Sequence, residues 1–307
     1  MDVLIYGAGA IGSFTGYLLS EAGTPVENVA LLGRKGHIQR IRERELKIDL
    51  VNEKRDISFK YCFSSLDELR RSGFSPELVI ISVKAYSIRE VGVEIKESGA
   101  LKDSTFILLM NGMGNKEALN LQSVPVFEGM TYMGVRHSGD GSIELKGAGK
   151  SVYEHGIDPD IKRFMKDMYE GKGFEIEFSK DFRREQWRKL FVNSVINPIT
   201  ALTGKENGIV LSNHLQKTVE EIISECLSVS LIEGFEFDKA DVLHDVLSVA
   251  SKTSRNTSSM LQDVSRGRRT EIDSINGFVL KLAERHCLKA HVNETLFSLV
   301  KAIEEKK

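Results

Sequence analysis

Within residues 186–202, QWRKLFVNSVINPITAL, three hydrogen-bonding side chains recur at every fourth position: Lys189, Asn193 and Asn197. Trp187, Leu190, Phe191, Val192, Val195, Ile196, Ile199 and Leu202 surround them, which is the composition of a buried helix. At about 100° per residue, steps of four put the three polar residues on one stripe less than a quarter-turn wide. Left without partners there, each would cost on the order of 1–3 kcal/mol. Carbonyl reduction would give the stripe a task. As hydride reaches a carbonyl carbon, negative charge grows on the oxygen, and a Lys ammonium in a partly desolvated cleft can supply the proton. Burial would lower the Lys189 pKa toward the working range. The two asparagines add hydrogen bonds without charge. The alternative is helix capping or polar pairing with another domain. Pro198 removes one helical hydrogen bond just after Asn197 and marks a place for a kink.

A second polar cluster lies at RNTSSMLQDVSRGRRTEID, residues 255–273, with Asn256, Ser258, Ser259, Asp263 and Glu271. Ser/Thr-rich segments cap helices, and Glu271 has the place of a first-turn acid favoured by the helix dipole. An acid is nevertheless needed near Lys189 to keep it charged and aimed.

These groups require a frame, and the first half of the chain supplies one. DVLIY (2–6) reads as a strand, and residues 10–22 as a helix. NVALLG (28–33), ELVIISV (77–83) and TFILLM (105–110) read as further strands. Apolar runs separated by helices and turns indicate a parallel sheet covered on both faces. LKIDLVN (46–52) and DISFKYCF (56–63) read as extended strands, and residues 125–135 and 142–154 as short β-patterns around an HSGDGS turn. Between the first strand and helix stands GAGAIG: Gly7, Ala8, Gly9, Ala10, Ile11 and Gly12. In that context the G-x-G-x-x-G pattern predicts a dinucleotide-binding turn, with the pyrophosphate at the helix N-terminus. The second strand ends in Gly33, Arg34 and Lys35, where an NAD enzyme usually places an acid. Two cations and no acid suit a 2′-phosphate, so NADPH is the expected cofactor. Lys84 and Asn111 end the next two central strands, where open α/β sheets bind ligands.

From Asp181 onward helical periodicity dominates, with helices over 214–234, 274–287 and 294–306. The expected fold is an α/β Rossmann-type domain (1–180) followed by an all-α domain (181–307). A short junction near 178–183 predicts a cleft between them. The 307 residues suffice for two such domains. A net charge of −2 argues against a general nucleic-acid or membrane-surface binder. Three separated cysteines, Cys62, Cys226 and Cys287, fit a reducing compartment. With no signal peptide and no long apolar span, the expected location is the cytoplasm. No Cys/His cluster has metal spacing, so no metal is expected; nor are there G-x-S-x-G or H-E-x-x-H motifs.

GAGAIG, SVKAY, NGMGN, W-R-K-L-x-V-N-x-V-I-N-P-x-T-A, and N-x-S-S-M-L-Q-D followed by T-E-I-D-x-I-N-G together resemble the ketopantoate reductase family over nearly the whole length. The last two motifs are specific to that family. The resemblance implies NADPH-dependent reduction of ketopantoate to pantoate, for pantothenate and coenzyme A, and a 6-phosphogluconate-dehydrogenase-like helical domain. It implies Lys189 as general acid, with Glu271 orienting it and the substrate hydroxyl. It implies Asn193, Asn197, Asn256 and Ser259 as substrate contacts, and Arg34, Lys84 and Asn111 as cofactor contacts, Asn111 serving the substrate as well. The substrate is then a small molecule, and a homodimer stays open. Two other readings stand beside it. One is a related NAD(P)-dependent dehydrogenase of 2-oxo or hydroxy acids. The other is a non-catalytic NADP(H)-binding sensor, which would have no need of a proton donor.

Overall fold

The computed structural model describes residues 1–50 and 52–305. It divides into two compact units. One comprises Met1–Met110 and Asn115–Phe182; the other comprises Asn111–Gly114 and the chain from Arg183 onward. Thus the short Asn111–Gly114 turn, which the sequence placed with the first domain, packs with the second unit.

Among the described residues the first unit holds twelve strands: β1 (Val3–Tyr6), β2 (Val26–Leu32), β3 (Leu46–Leu50), β4 (Glu53–Ile57), β5 (Phe59–Phe63), β6 (Leu78–Ile81), β7 (Thr105–Leu109), β8 (Val126–Thr131), β9 (Gly134–Gly139), β10 (Ser142–Gly147), β11 (Ser151–Glu154) and β12 (Ile176–Ser179). Its helices are α1 (Ala10–Leu19), α2 (Lys35–Arg44), α3 (Leu66–Ser72), α4 (Ile88–Ser98), α5 (Asn115–Leu119) and α6 (Pro159–Glu170). Eight strands form the main sheet in the order β12-β11-β8-β7-β6-β1-β2-β5. All its pairs are parallel except β8 with β11. Side chains alternate across a strand, and here both faces are covered. Val3 and Ile5 enter one apolar core with Phe14 and Leu18 of α1, while Leu4 and Tyr6 enter the other with Val91 and Ile95 of α4. That double burial is why the strands read as continuous apolar runs.

β4, β3, β10 and β9 form a second sheet of four strands. Its Ile48, Ile143 and Leu145 share the core of α1. The extended stretch expected over 56–63 is therefore two strands in two sheets. β4 is exposed and pairs antiparallel with β3; at Ser58 the chain turns, its carbonyl accepting the Val26 N–H, and β5 joins the main sheet. Val51, within the strand expected over 46–52, and Lys306, at the end of the last expected helix, lie outside the described residues.

The second unit is helical, as expected: α7 (Phe182–Thr203), α8 (Gln216–Ile232), α9 (Lys239–Lys252), α10 (Ser259–Ser265), α11 (Asn276–Arg285) and α12 (His291–Glu305). Trp187, Phe191, Val195 and Ile199 of α7 enter one core with Ile222, Val246, Val279 and Val300 from its neighbours. No helix among the described residues is long and apolar enough to cross a membrane.

α7 runs through Pro198 without ending. Pro198 has no N–H, so the Ser194 carbonyl four residues earlier lacks its helical donor. The buried Asn276 side chain supplies one: Nδ2 donates to Ser194 O at 3.1 Å and to Asn293 Oδ1 at 2.9 Å. Asn293 Nδ2 donates to Glu225 at 2.7 Å. The Glu225 carboxylate accepts the Val292 and Asn293 N–H groups, both at 2.9 Å, and so caps α12 from α8. One polar chain thus ties four helices together. Asn276→Leu should lower the unfolding free energy by about 2 kcal/mol or more, since it strands buried partners worth roughly 1–3 kcal/mol each. Adding Pro198→Ala should return part of that loss, because residue 198 then brings its own N–H. Urea unfolding of the single and double variants checks both; strictly additive losses would disprove the link.

Candidate functional site

In the first unit the C-terminal end of β1 opens into the glycine turn. The chain order moves outward from β1 to β2 and β5, then returns to β6, β7 and β8 on the other side. Ligands of such sheets bind at that switch point. Gly7 has φ +101°. A Cβ on Gly12 would lie 2.2 Å from the Gly7 carbonyl oxygen, so only glycine lets α1 start this close to the turn. Gly9 differs. A Cβ there would meet only the Gly7 oxygen, at 4.0 Å. The chain's own packing does not demand glycine at position 9; close approach of a pyrophosphate to the protein backbone would. Gly9 is also the N-cap of α1 and offers no side-chain cap. The N–H groups of Ala10, Ile11 and Gly12 open the helix and have no intrahelical acceptor. This cradle fits a pyrophosphate.

Arg34 is exposed and stands directly after β2, as N-cap of α2. Lys84 follows β6, partly buried, at the start of a 3-10 turn over Ala85–Ser87. Arg34 and Lys84 stay with the first unit; Asn111 does not. It begins a turn whose Met113 N–H donates to Ser274 O at 3.0 Å. Gly112 has φ +78°, and a Cβ on it would come within 2.4 Å of that same oxygen.

The turn brings Asn111 to two ionisable groups of its own unit, Lys189 and Glu271. Lys189 Nζ donates to Asn111 Oδ1 at 3.1 Å, and Asn111 Nδ2 donates to Glu271 Oε2 at 3.4 Å. The amide thus bridges ammonium and carboxylate, using one end for each. Glu271 is 7% exposed and precedes a 3-10 turn over Ile272–Ser274. Burial pushes the Lys189 pKa down to about 8, and Glu271 opposes the shift. The stripe on α7 continues through Asn193, half-buried, and Asn197, 7% exposed. Neither amide makes a hydrogen bond through its side chain among the described residues. Asn256 and Ser259 are exposed, in the loop before α10 and at its first residue, and the structure does not link them to Lys189. Their neighbour Ser258 is the anchor: its hydroxyl accepts the Leu261 N–H at 3.1 Å and meets buried Thr200 of α7 at 2.6 Å.

Sequence reasoning put Lys189 and Glu271 in one site but missed the bridging role of Asn111. It also missed Asn276, whose only signal was the proline that Asn276 compensates. A third cluster went unnoticed as well: His37, His137 and Asp140, whose candidate ligand atoms lie within 4.8 Å of one another.

Comparison with known proteins shows the family of the chain. Residues 3–156 match the family model of ketopantoate reductase PanE/ApbA, and residues 181–304 match its C-terminal counterpart. A 2-dehydropantoate 2-reductase of Pyrococcus horikoshii is 34% identical over 309 residues, covering 99% of this chain and 98% of that protein. One from Archaeoglobus fulgidus is 32% identical over 312 residues, covering 98% and 97%. The crystal structure of a ketopantoate reductase from Ralstonia eutropha superposes with a TM-score of 0.89 at 26% identity, covering 100% of this chain and 99% of that one. D-mandelate dehydrogenase bound to NADH and anilino(oxo)acetate shares the fold, with a TM-score of 0.88 at 24% identity and the same coverage. With both halves matched and relatives of full length, this chain belongs to the ketopantoate reductase family of oxidoreductases.

Proposed function

We propose that the protein reduces 2-dehydropantoate (ketopantoate) to pantoate with NADPH, and that Lys189 is the proton donor. The observation that carries this reading is the Lys189–Asn111–Glu271 arrangement: a partly buried ammonium held by a neutral amide and a carboxylate. The reduced nicotinamide, when bound, supplies the hydride. Residues 7–12 would hold the pyrophosphate, and Arg34 and Lys84 would contact the nucleotide. Lys189 gives a proton to the carbonyl oxygen, which becomes the hydroxyl of the product, and is left as a neutral amine. A pKa of about 8 suits that step: the group is mostly charged near neutral pH yet releases its proton more readily than an ordinary lysine. Glu271 keeps the ammonium charged and can also accept from the substrate hydroxyl. Asn193 and Asn197 present donors on the same face of α7, and Asn256 and Ser259 are further substrate contacts in this scheme.

Turnover with ketopantoate, pyruvate, 2-oxoisovalerate and oxaloacetate in parallel tests the assignment. Ketopantoate should have the highest kcat/KM; a preference for another 2-oxo acid would move the protein to a different activity on the same fold. Lys189→Ala should lower kcat by roughly 10²- to 10⁴-fold, with little change in NADPH affinity.

The pH profile carries a sign. A general acid must be protonated, and the folded-state pKa of Lys189 is depressed to about 8. Reduction should therefore be flat below that value and fall with rising pH through it. The high-pH limb should vanish from the residual activity of Lys189→Ala; its persistence would assign the limb to another group.

Arg34 tests the cofactor. A guanidinium–phosphate contact contributes about 1.5–3 kcal/mol, or roughly a 10- to 150-fold preference for NADPH. Arg34→Asp should cost NADPH far more kcat/KM than NADH at fixed ionic strength. An unchanged ratio would remove Arg34 from the phosphate site.

A further inference from the structure

The end of β2 offers Arg34 and Lys35 and no acid within its own segment. The fold brings one from a hundred residues away. The β9–β10 hairpin turns at Gly139, Asp140 and Gly141, and its tip lies against the first turn of α2. A Cβ on Gly36 would be 2.8 Å from Asp140 Oδ2. The tip is fixed in place. Gly141 N–H donates to His37 Nδ1 at 3.0 Å, and Gly141 O accepts the Lys47 N–H at 2.9 Å. His37 is buried in α2; its Nε2 meets Ser13 Oγ of α1 at 3.1 Å. Because Nδ1 accepts from a backbone N–H, the neutral ring carries its proton on Nε2 and donates to Ser13. His137 Nε2 stands 3.0 Å from His37 Nδ1 and 3.9 Å from Asp140 Oδ1. One buried imidazole therefore joins the helix that follows the glycine turn to the hairpin that carries Asp140.

We propose that Asp140 is a cofactor-specificity residue, acting at the ribose 2′ position beside Arg34. In dinucleotide folds that position is read at the end of β2. An acid there accepts from the 2′-hydroxyl of NADH, and cations there take the 2′-phosphate of NADPH. This chain has both: cations in the segment itself and a carboxylate set against Gly36 by the hairpin. Asp140 accepts from a 2′-hydroxyl and repels a 2′-phosphate. It thus narrows the preference that Arg34 and Lys35 create, and NADH remains a usable partner. The inference rests on the dinucleotide reading above.

The test is equilibrium binding, measured by calorimetry at fixed ionic strength, of NADPH and NADH to the wild type and to Asp140→Asn. The side chain is largely exposed, so the variant should fold; Asp140→Ser serves as a second version. NADPH should bind about two- to tenfold more tightly to either variant, the range for a partly screened like charge. NADH should bind about two- to tenfold more weakly, so the ratio of the two dissociation constants moves by at least about fourfold. Equal tightening of both dinucleotides would report only net charge and overturn the proposal. So would an unchanged ratio, or a wild type that rejects NADH outright. Failure of the wild type to bind either dinucleotide would overturn the cofactor reading itself, and this inference with it.

Discussion

A lysine ammonium buried beside a carboxylate is the interaction that the polar contacts of the second unit are arranged around. Desolvation pulls the Lys189 pKa down and Glu271 holds it up, and the balance near 8 leaves a group that is both charged and willing to lose its proton. Asn111 makes that balance geometrically stable, because an amide can accept from the ammonium and donate to the carboxylate at once. The rest of the unit keeps these partners in register. α7 presents Lys189, Asn193 and Asn197 along one face, and the 3-10 turn after Glu271 receives the Asn111–Gly114 segment through Met113 and Ser274.

Keeping α7 helical through Pro198 is the less visible half of the same problem. The proline sits beside Asn197 and removes the donor that the Ser194 carbonyl needs. A buried carbonyl without a partner is costly, and Asn276 meets it from α11. The same asparagine leads through Asn293 to Glu225 of α8, whose carboxylate caps the start of α12. This chain of hydrogen bonds holds α7 against α8, α11 and α12, and so fixes the helix that carries Lys189.

In the first unit the governing constraint is close approach. α1 begins so near the end of β1 that Gly12 can carry no side chain, while Gly9 faces open space. Around this turn the second sheet fills the outer side of α1, and its hairpin carries Asp140 to the start of α2.

Much of this was legible in the chain alone. Doubly buried parallel strands read as apolar runs because both faces of the main sheet are covered. The glycine turn was readable because its tight φ angle and its helix start depend on local residues. The spacing of Lys189, Asn193 and Asn197 was enough to place them on one face, since a helix repeats on a fixed short period. What the chain could not reveal were pairings between distant segments. Residues 56–63 look like one strand, and only the choice of neighbours, β3 for one half and β2 for the other, splits them. Asn111 sits at the end of a first-unit strand, yet its partners are 78 and 160 residues away in the second unit. Asn276 looks like an ordinary helix-start residue until α11 is laid against the carbonyl that Pro198 exposes. Local sequence sets backbone conformation and side-chain direction; hydrogen-bond partners and desolvation arise only when remote segments meet, and those two quantities give Lys189 its charge and its aim.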